Sequence, residues 1–194
     1  MKNCFKNVLT LNLPLITNQF VKTVLKLGEN SDSDGFNSLY KWCDIKDAFR
    51  EAKRIRKPIF LLIHNSWCPS CKKLKNKFSK SLKLIDLSRN FIMVKVENTV
   101  DTVNNSKKFY PDGKYIPRIL FFTPNGELIR DAYNRSSNID SKNRYYYNNS
   151  SQIIDTMNFV LRLISENEFT NSEEYKDNEP INENPNFPKP IVTN

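Results

Sequence analysis

The sequence predicts an α/β fold, a three-layer sandwich in which helices flank a mixed central sheet. Two apolar segments of strand length, 59–63 and 91–96, are joined through a helical segment, and such a connection makes two strands parallel. A third apolar segment, 118–122, is followed by the turn sequence Thr123–Gly126, which predicts an antiparallel hairpin. Residues 59–63 do not alternate with polar residues, which indicates a strand covered on both faces.

An apolar stripe predicts a helix before the first strand. Asp44 can cap the N-terminus of this helix, and Pro58 prevents the helix from continuing. The stripe has the three- and four-residue spacing of one helix face, and its members are Ile45, Ala48, Phe49, Ala52 and Ile55.

A second helix is predicted after the first strand. Its apolar stripe is Cys71, Leu74, Phe78 and Leu82, and lysines occupy the opposite face. We interpret most of the net charge of +9 as a solvated surface, because no zinc-finger, RNP-like or Gly-rich phosphate motif accompanies it. No nucleic-acid partner is therefore expected.

The C-terminal half completes the predicted sheet. A polar loop, 97–115, leads into the strand 118–122, and residues 127–133 are predicted as a fourth strand after the turn. Ser150 or Ser151 can cap a last helix. The apolar positions of this helix are Ile153, Ile154, Met157, Val160, Leu161 and Ile164.

Composition divides the chain into three parts. Residues 1–35 form an N-terminal segment that resembles a weak signal peptide followed by a polar linker. Residues 36–165 form the folded domain, and 166–194 form an Asn- and Pro-rich tail with seven acidic residues against two lysines. The tail has too few apolar residues to offset its ordering entropy, so we expect it to be disordered. No apolar stretch is long enough to span a bilayer, and no membrane partner is expected.

Two of the four cysteines, Cys68 and Cys71, stand two residues apart at the predicted start of the second helix. Disulfide exchange needs one thiol that ionises near neutral pH and a second that resolves the mixed disulfide. A helix start favours a thiolate because backbone N–H groups point outwards there, and Pro69 suits the first turn. The pattern predicts Cys68 as the attacking thiol and Cys71 as the resolving one.

The cysteine spacing alone leaves other interpretations open. A structural zinc site needs four ligands as a rule, so Cys43 and His64 would have to complete it. A spacing that arose by chance is a second alternative. A cysteine hydrolase is disfavoured, because His64 precedes Cys68 by only four residues. We expect no metal, and we expect Cys4 and Cys43 to be free thiols because neither has an evident partner.

Pro117 stands immediately before the strand 118–122. Proline cannot donate to a strand ladder, and its preceding peptide bond can be cis. A cis-proline facing the two cysteines would expose the Ile116 backbone for strand-like pairing with an extended substrate. The alternative is a trans proline that merely begins the strand.

The motifs that carry this pattern are WCPSCK after an apolar strand, LSRNFIMVKVEN, and YIPRILFF some 45 residues after the cysteines. Together they resemble the thioredoxin family, and most of all its small endoplasmic-reticulum members, the thioredoxin domain-containing protein 12 and anterior gradient group. The resemblance covers about residues 36–165 and implies a thioredoxin fold. It also implies a thiol–disulfide oxidoreductase, a protein-disulfide reductase that reduces, forms or exchanges the disulfides of protein clients.

The resemblance assigns roles to individual residues. Cys68 and Cys71 become the redox-active pair, Pro117 becomes the cis-proline, and Trp67, Ile116 and Pro117 become the substrate-binding residues. No bound cofactor is implied, and glutathione fits as a co-substrate. Anterior gradient proteins keep one cysteine and act more as folding partners, so a non-catalytic, chaperone-like client-binding module is the alternative. Retention of both cysteines favours the enzyme.

The chain also departs from the family pattern. Leu61, Leu62 and Ile63 occupy the strand region where thioredoxins carry a buried aspartate. Proton transfer from the resolving thiol must therefore use water or another group, of which Glu97 is the nearest candidate. The resemblance places the protein in the endoplasmic reticulum lumen or outside the cell. The chain ends in PIVTN rather than a KDEL-like signal, and a cytoplasmic location stays open.

Overall fold

The computed structural model describes residues 39–99, 103, 105–136, 140 and 142–176, with side chains described as far as residue 166. The elements in chain order are β1 (Trp42–Cys43), α1 (Ile45–Ile55), β2 (Ile59–His64), α2 (Pro69–Phe78), α3 (Leu82–Ser88), β3 (Ile92–Glu97), a 3-10 turn (Lys107–Phe109), β4 (Arg118–Phe122) and α4 (Ser150–Lys176).

The strands form one mixed sheet in the order β1–β3–β2–β4. β3 is parallel to both β1 and β2, and β2 is antiparallel to β4. The predicted three-layer α/β sandwich is thereby confirmed. β1 was not predicted, since a strand of two residues is too short to leave a periodic pattern.

Both faces of the sheet are covered by helices. All six residues of β2 are buried, as its unbroken apolar sequence predicted. Phe60 and Leu62 pack in a core with α2, α3 and α4, whereas Leu61 and Ile63 pack on the opposite face with α1. Alternate β2 side chains therefore serve two separate cores. β2 leads directly into the cysteine motif, so this double burial anchors the site.

The first helix begins and ends where the sequence predicts. Asp44 caps α1, with its Oδ1 accepting a hydrogen bond from the Lys46 backbone N–H at 2.9 Å. Arg56, in the left-handed region with φ 53°, ends the helix two residues before Pro58.

The predicted stripe of the second helix is wrong beyond Phe78. Ser81 starts a separate helix, α3, because its Oγ accepts a hydrogen bond from the Leu84 backbone N–H at 3.4 Å. Leu82, predicted to continue the buried stripe, is 79% exposed. The change of helix axis carries Leu82 away from the face shared by Cys71, Leu74 and Phe78, which are buried.

The predicted fourth strand, 127–133, is also wrong. Gly126 N–H donates to the Thr123 carbonyl at 2.9 Å, which confirms the turn. Only Leu128 then forms a bridge with Phe122, because the chain turns again where Ala132 N–H donates to the Ile129 carbonyl at 3.1 Å. A second turn so close to the first leaves no room for a ladder.

Three further predictions concern the ends of the chain and the remaining cysteines. α4 continues to Lys176, past residue 165, where the predicted domain ends. Residues 1–38 and 177–194, including Cys4, lie outside the described residues. Cys43, expected to be a free thiol, is disulfide-bonded.

None of the described helices has the length and apolarity needed to cross a membrane.

Candidate active site

Cys68 lies at the N-cap of α2. Its extended backbone, with φ −72° and ψ 123°, turns the chain from β2 into the helix, and Pro69 follows in the first turn. The Cys68 Sγ accepts a hydrogen bond from the backbone N–H of Cys71 at 3.4 Å. The first N–H groups of a helix have no partner within the helix, and one of them therefore donates to this sulfur.

Both cysteines of the motif are free thiols and both are buried, with 6% of Cys68 and 3% of Cys71 exposed. Burial, reinforced by the hydrogen bond with Cys68, raises the pKa of the Cys71 thiol to about 12. Cys71 is therefore protonated at neutral pH. Any reaction in which it acts as a nucleophile needs a proton acceptor.

The segment before β4 faces this pair. The Ile116–Pro117 peptide bond is cis. The Cys68 thiol lies 4.0 Å from the carbonyl oxygen of Ile116, to which it donates. Pro117 is buried and Ile116 is half-buried. The sequence-predicted residues Cys68, Cys71, Ile116 and Pro117 are thus brought together from two distant parts of the chain.

Trp67 lies next to the thiols in the chain, and 68% of its surface is exposed. A large apolar side chain with that exposure, one residue before Cys68, provides apolar surface beside the attacking thiol in the chain.

The strand ends behind the motif are held by hydrogen bonds. The Asn98 N–H donates to the His64 carbonyl at 2.8 Å and to the Asn65 Oδ1 at 3.0 Å. Glu97, paired with His64 across the strands, accepts a hydrogen bond from the Ser66 N–H at 3.4 Å. His64 and Asn65 are buried.

No cluster of three or more His, Cys, Asp or Glu side chains suited to a metal occurs in the described ranges.

Arg118 is a residue near the site that was assigned no role from the sequence. It follows the cis-proline, opens β4 and is completely buried. The signal that could have identified it is a charged residue at the head of an otherwise apolar strand, because buried arginines need polar partners.

Residues 40–124 match a family model described as thioredoxin-like. These residues form a thioredoxin-like domain. The match spans every element from β1 to the turn after β4, and the resemblance inferred from the cysteine and proline motifs is confirmed.

The proteins similar to this chain include anterior gradient proteins. It is 32% identical over 114 residues to Anterior gradient protein 3 of Mus musculus, covering 58% of this chain and 66% of the relative. It is 29% identical over 122 residues to Anterior gradient protein 2 homolog of Homo sapiens, covering 61% and 65% respectively. The chain thus spans just under two thirds of these relatives' lengths. A solved structure titled DsbH Oxidoreductase has a TM-score of 0.40 and 21% identity, covering 46% of this chain and 69% of that one.

Proposed function

We propose that this thioredoxin-family protein is a thiol–disulfide oxidoreductase acting on protein clients, with Cys68 as the attacking thiol and Cys71 as the resolving thiol. The observation that carries the proposal is the hydrogen bond from the Cys71 N–H to the Cys68 sulfur at the start of α2. A backbone donor and the positive end of a helix both stabilise negative charge on that sulfur.

The reaction proceeds in two exchanges. The Cys68 thiolate attacks one sulfur of a client disulfide, forms a mixed disulfide and expels the other client sulfur as a thiolate. Cys71 then loses its proton and attacks the Cys68 sulfur, which releases the second client thiolate. The client gains two electrons and the protein retains a Cys68–Cys71 disulfide. A thiol reductant such as glutathione restores the dithiol, and the reverse sequence oxidises a client.

The second exchange depends on deprotonation of Cys71, because burial keeps that thiol protonated. Leu61, Leu62 and Ile63 offer no acidic group in β2. Glu97 remains the predicted proton acceptor. Its position at the end of β3, with its carboxylate on the Ser66 N–H, supports this role.

The client is proposed to bind across Trp67, Ile116 and Pro117. The exposed Trp67 would contact apolar client side chains, and Ile116 would offer its backbone to an extended client segment. The same surface also supports the alternative function, a chaperone-like module that binds clients without turnover.

The decisive experiment compares the wild type with Cys68→Ser and Cys71→Ser in insulin reduction, and it also traps client adducts. We expect turnover only in the wild type, and mixed disulfides that accumulate in Cys71→Ser and are absent from the Cys68→Ser/Cys71→Ser control. Absence of both turnover and adducts would reject the enzyme. Client binding that survives Cys68→Ser under those circumstances would support the chaperone-like module.

The direction of the reaction follows from the reduction potential of the pair. Titration against reduced and oxidised glutathione separates a reductant, with a potential of about −270 mV, from an oxidant, with a potential of about −180 mV. We further propose that the protein works in the endoplasmic reticulum lumen or outside the cell, since the disulfide at Cys43 suits an oxidising compartment. Protease protection in isolated microsomes tests this location.

A further inference from the structure

Arg118 is a buried cation whose partners are backbone carbonyls. Its side chain is fully buried, and no carboxylate among the described residues forms an ion pair with it. Burial lowers the pKa of its guanidinium to about 10, a direction that reflects the cost of holding the charge away from water. A residue so costly to bury requires compensating hydrogen bonds.

These hydrogen bonds tie together the two ends of one loop. Arg118 Nε donates to the carbonyl of Phe109 at 2.7 Å, and Nη1 donates to the carbonyl of Tyr115 at 2.8 Å. Residues 110–114 lie between these two carbonyls. The Tyr115 carbonyl belongs to the peptide group that joins Tyr115 to Ile116. The hydrogen bond from the guanidinium therefore fixes the orientation of this peptide group.

Tyr115 is held from its side chain as well. Its hydroxyl donates to Asp112 Oδ1 at 2.8 Å and accepts from the Tyr145 N–H at 3.0 Å. The second oxygen of Asp112 accepts from the Arg144 N–H at 2.7 Å. Tyr115 is thus fixed at both its main chain and its hydroxyl, and the tether extends to the 144–145 segment that lies beside β4.

The tethered segment is the one that faces the attacking thiol. Ile116 follows Tyr115 directly, and its carbonyl lies 4.0 Å from the Cys68 thiol. Arg118 also pairs with Ile63 in the ladder between β4 and β2, the strand that leads to Cys68. Arg118 therefore joins the loop that ends at Tyr115, through its side chain, to the strand that leads to Cys68, through its backbone.

We propose that Arg118 is a positioning residue, which holds residues 115–117 against Cys68 so that an extended segment of a disulfide-bonded client can pair with the Ile116 backbone. This inference rests on the proposed function and refines its substrate class. Displacement of such a segment slows reaction with a client that must align along it, because productive geometry tolerates little misplacement. A small disulfide that needs no alignment is affected far less.

The test measures mixed-disulfide formation in the Cys71→Ser background with two substrates, an extended peptide disulfide and dithiobis(nitrobenzoate). We expect Arg118→Met to slow the peptide reaction about tenfold or more and to change the small-reagent reaction by less than about twofold. Arg118→Lys keeps the charge but cannot donate to both carbonyls, and it should fall between. Arg89→Met, the same change at an exposed arginine, is the matched control and should alter neither rate.

Tyr115→Phe provides a second route to the answer if Arg118→Met fails to fold. It keeps the ring and removes the hydroxyl that joins Asp112 to Tyr145. We expect the same selective loss with the peptide, on the order of threefold. The inference is overturned if the variants that fold slow both substrates equally or slow neither. If the Cys71→Ser parent traps no peptide at all, the proposed function itself has failed.

Discussion

The thiol of Cys68 lies 4.0 Å from the carbonyl oxygen of Ile116, 48 positions later in the chain. The contact joins the start of α2 to the segment that enters β4, and the sheet holds both because β2 and β4 pair from Ile59–Phe122 to Ile63–Arg118. The attacking thiol and the backbone expected to bind the client therefore rest on the same pair of strands.

Trp67→Ala is expected to weaken client binding and leave the fold intact. The indole is 68% exposed, so its removal costs little packing in the free protein, but it deletes apolar contact area with a client. We expect KM for a protein disulfide to rise about fivefold or more, corresponding to about 1 kcal/mol. Leu82→Ala removes another exposed apolar side chain and is the control. An unchanged KM in Trp67→Ala would remove this residue from the client surface.

Cys71 should make the reduced protein sensitive to alkaline pH. Its pKa is raised from the ordinary 9.0 to about 12 in the folded chain, so folding favours the protonated thiol. This contribution to the free energy of unfolding is full below about pH 9 and is lost as pH rises through about 12.

The measurement is the difference in unfolding free energy between the reduced wild type and Cys71→Ala across this range. The difference should shrink as pH rises from about 8 to about 11. The pKa values of Tyr40 and Tyr147 are also raised by burial, but these tyrosines are present in both proteins and cancel. A difference that stays constant with pH contradicts the assignment of a buried, protonated Cys71.

Leu74→Ala and Leu82→Ala are the same chemical change on adjacent helices, but we expect very different effects on the free energy of unfolding. Leu74 is 1% exposed in the core beneath β2, and its truncation should lower the free energy of unfolding by about 2–5 kcal/mol. Leu82 is 79% exposed, and its truncation should change the free energy by less than about 0.5 kcal/mol. Urea denaturation measures both. Equal losses would restore the single continuous stripe that the sequence predicted.

Gly126→Ala should destabilise the turn after β4. Gly126 adopts φ +87°, and an added Cβ would lie 3.0 Å from Cδ1 of Phe49. The substitution therefore combines an unfavourable backbone conformation with a close contact, and we expect a loss of about 1 kcal/mol or more in thermal unfolding. Asn125→Ala, in the same turn but without the glycine requirement, is the comparison. Equal stability of Gly126→Ala and the wild type would contradict the turn geometry.

Much of the fold followed from local patterns. The unbroken apolar sequence of β2 predicted its double burial, and Asp44 predicted the start of α1. The errors arose where two local preferences competed. The Ser81 hydroxyl accepts a hydrogen bond from the Leu84 N–H and so starts a new helix, which interrupts the apolar stripe that was predicted to include Leu82. The second turn near Ala132 ended the predicted hairpin after one bridge.

The chemistry available at the site followed from the order of the residues alone. The dithiol at a helix start is a local feature, and so is the proline at a strand start. Each depends on residues that are close together in the chain, so their spacing predicts both. Spacing could not predict that the Ile116 carbonyl meets the Cys68 thiol, or that Arg118 is buried on two carbonyls rather than solvated. The reason is that burial and long-range contact depend on how all the segments compete for one sheet, and no short stretch of chain encodes that competition.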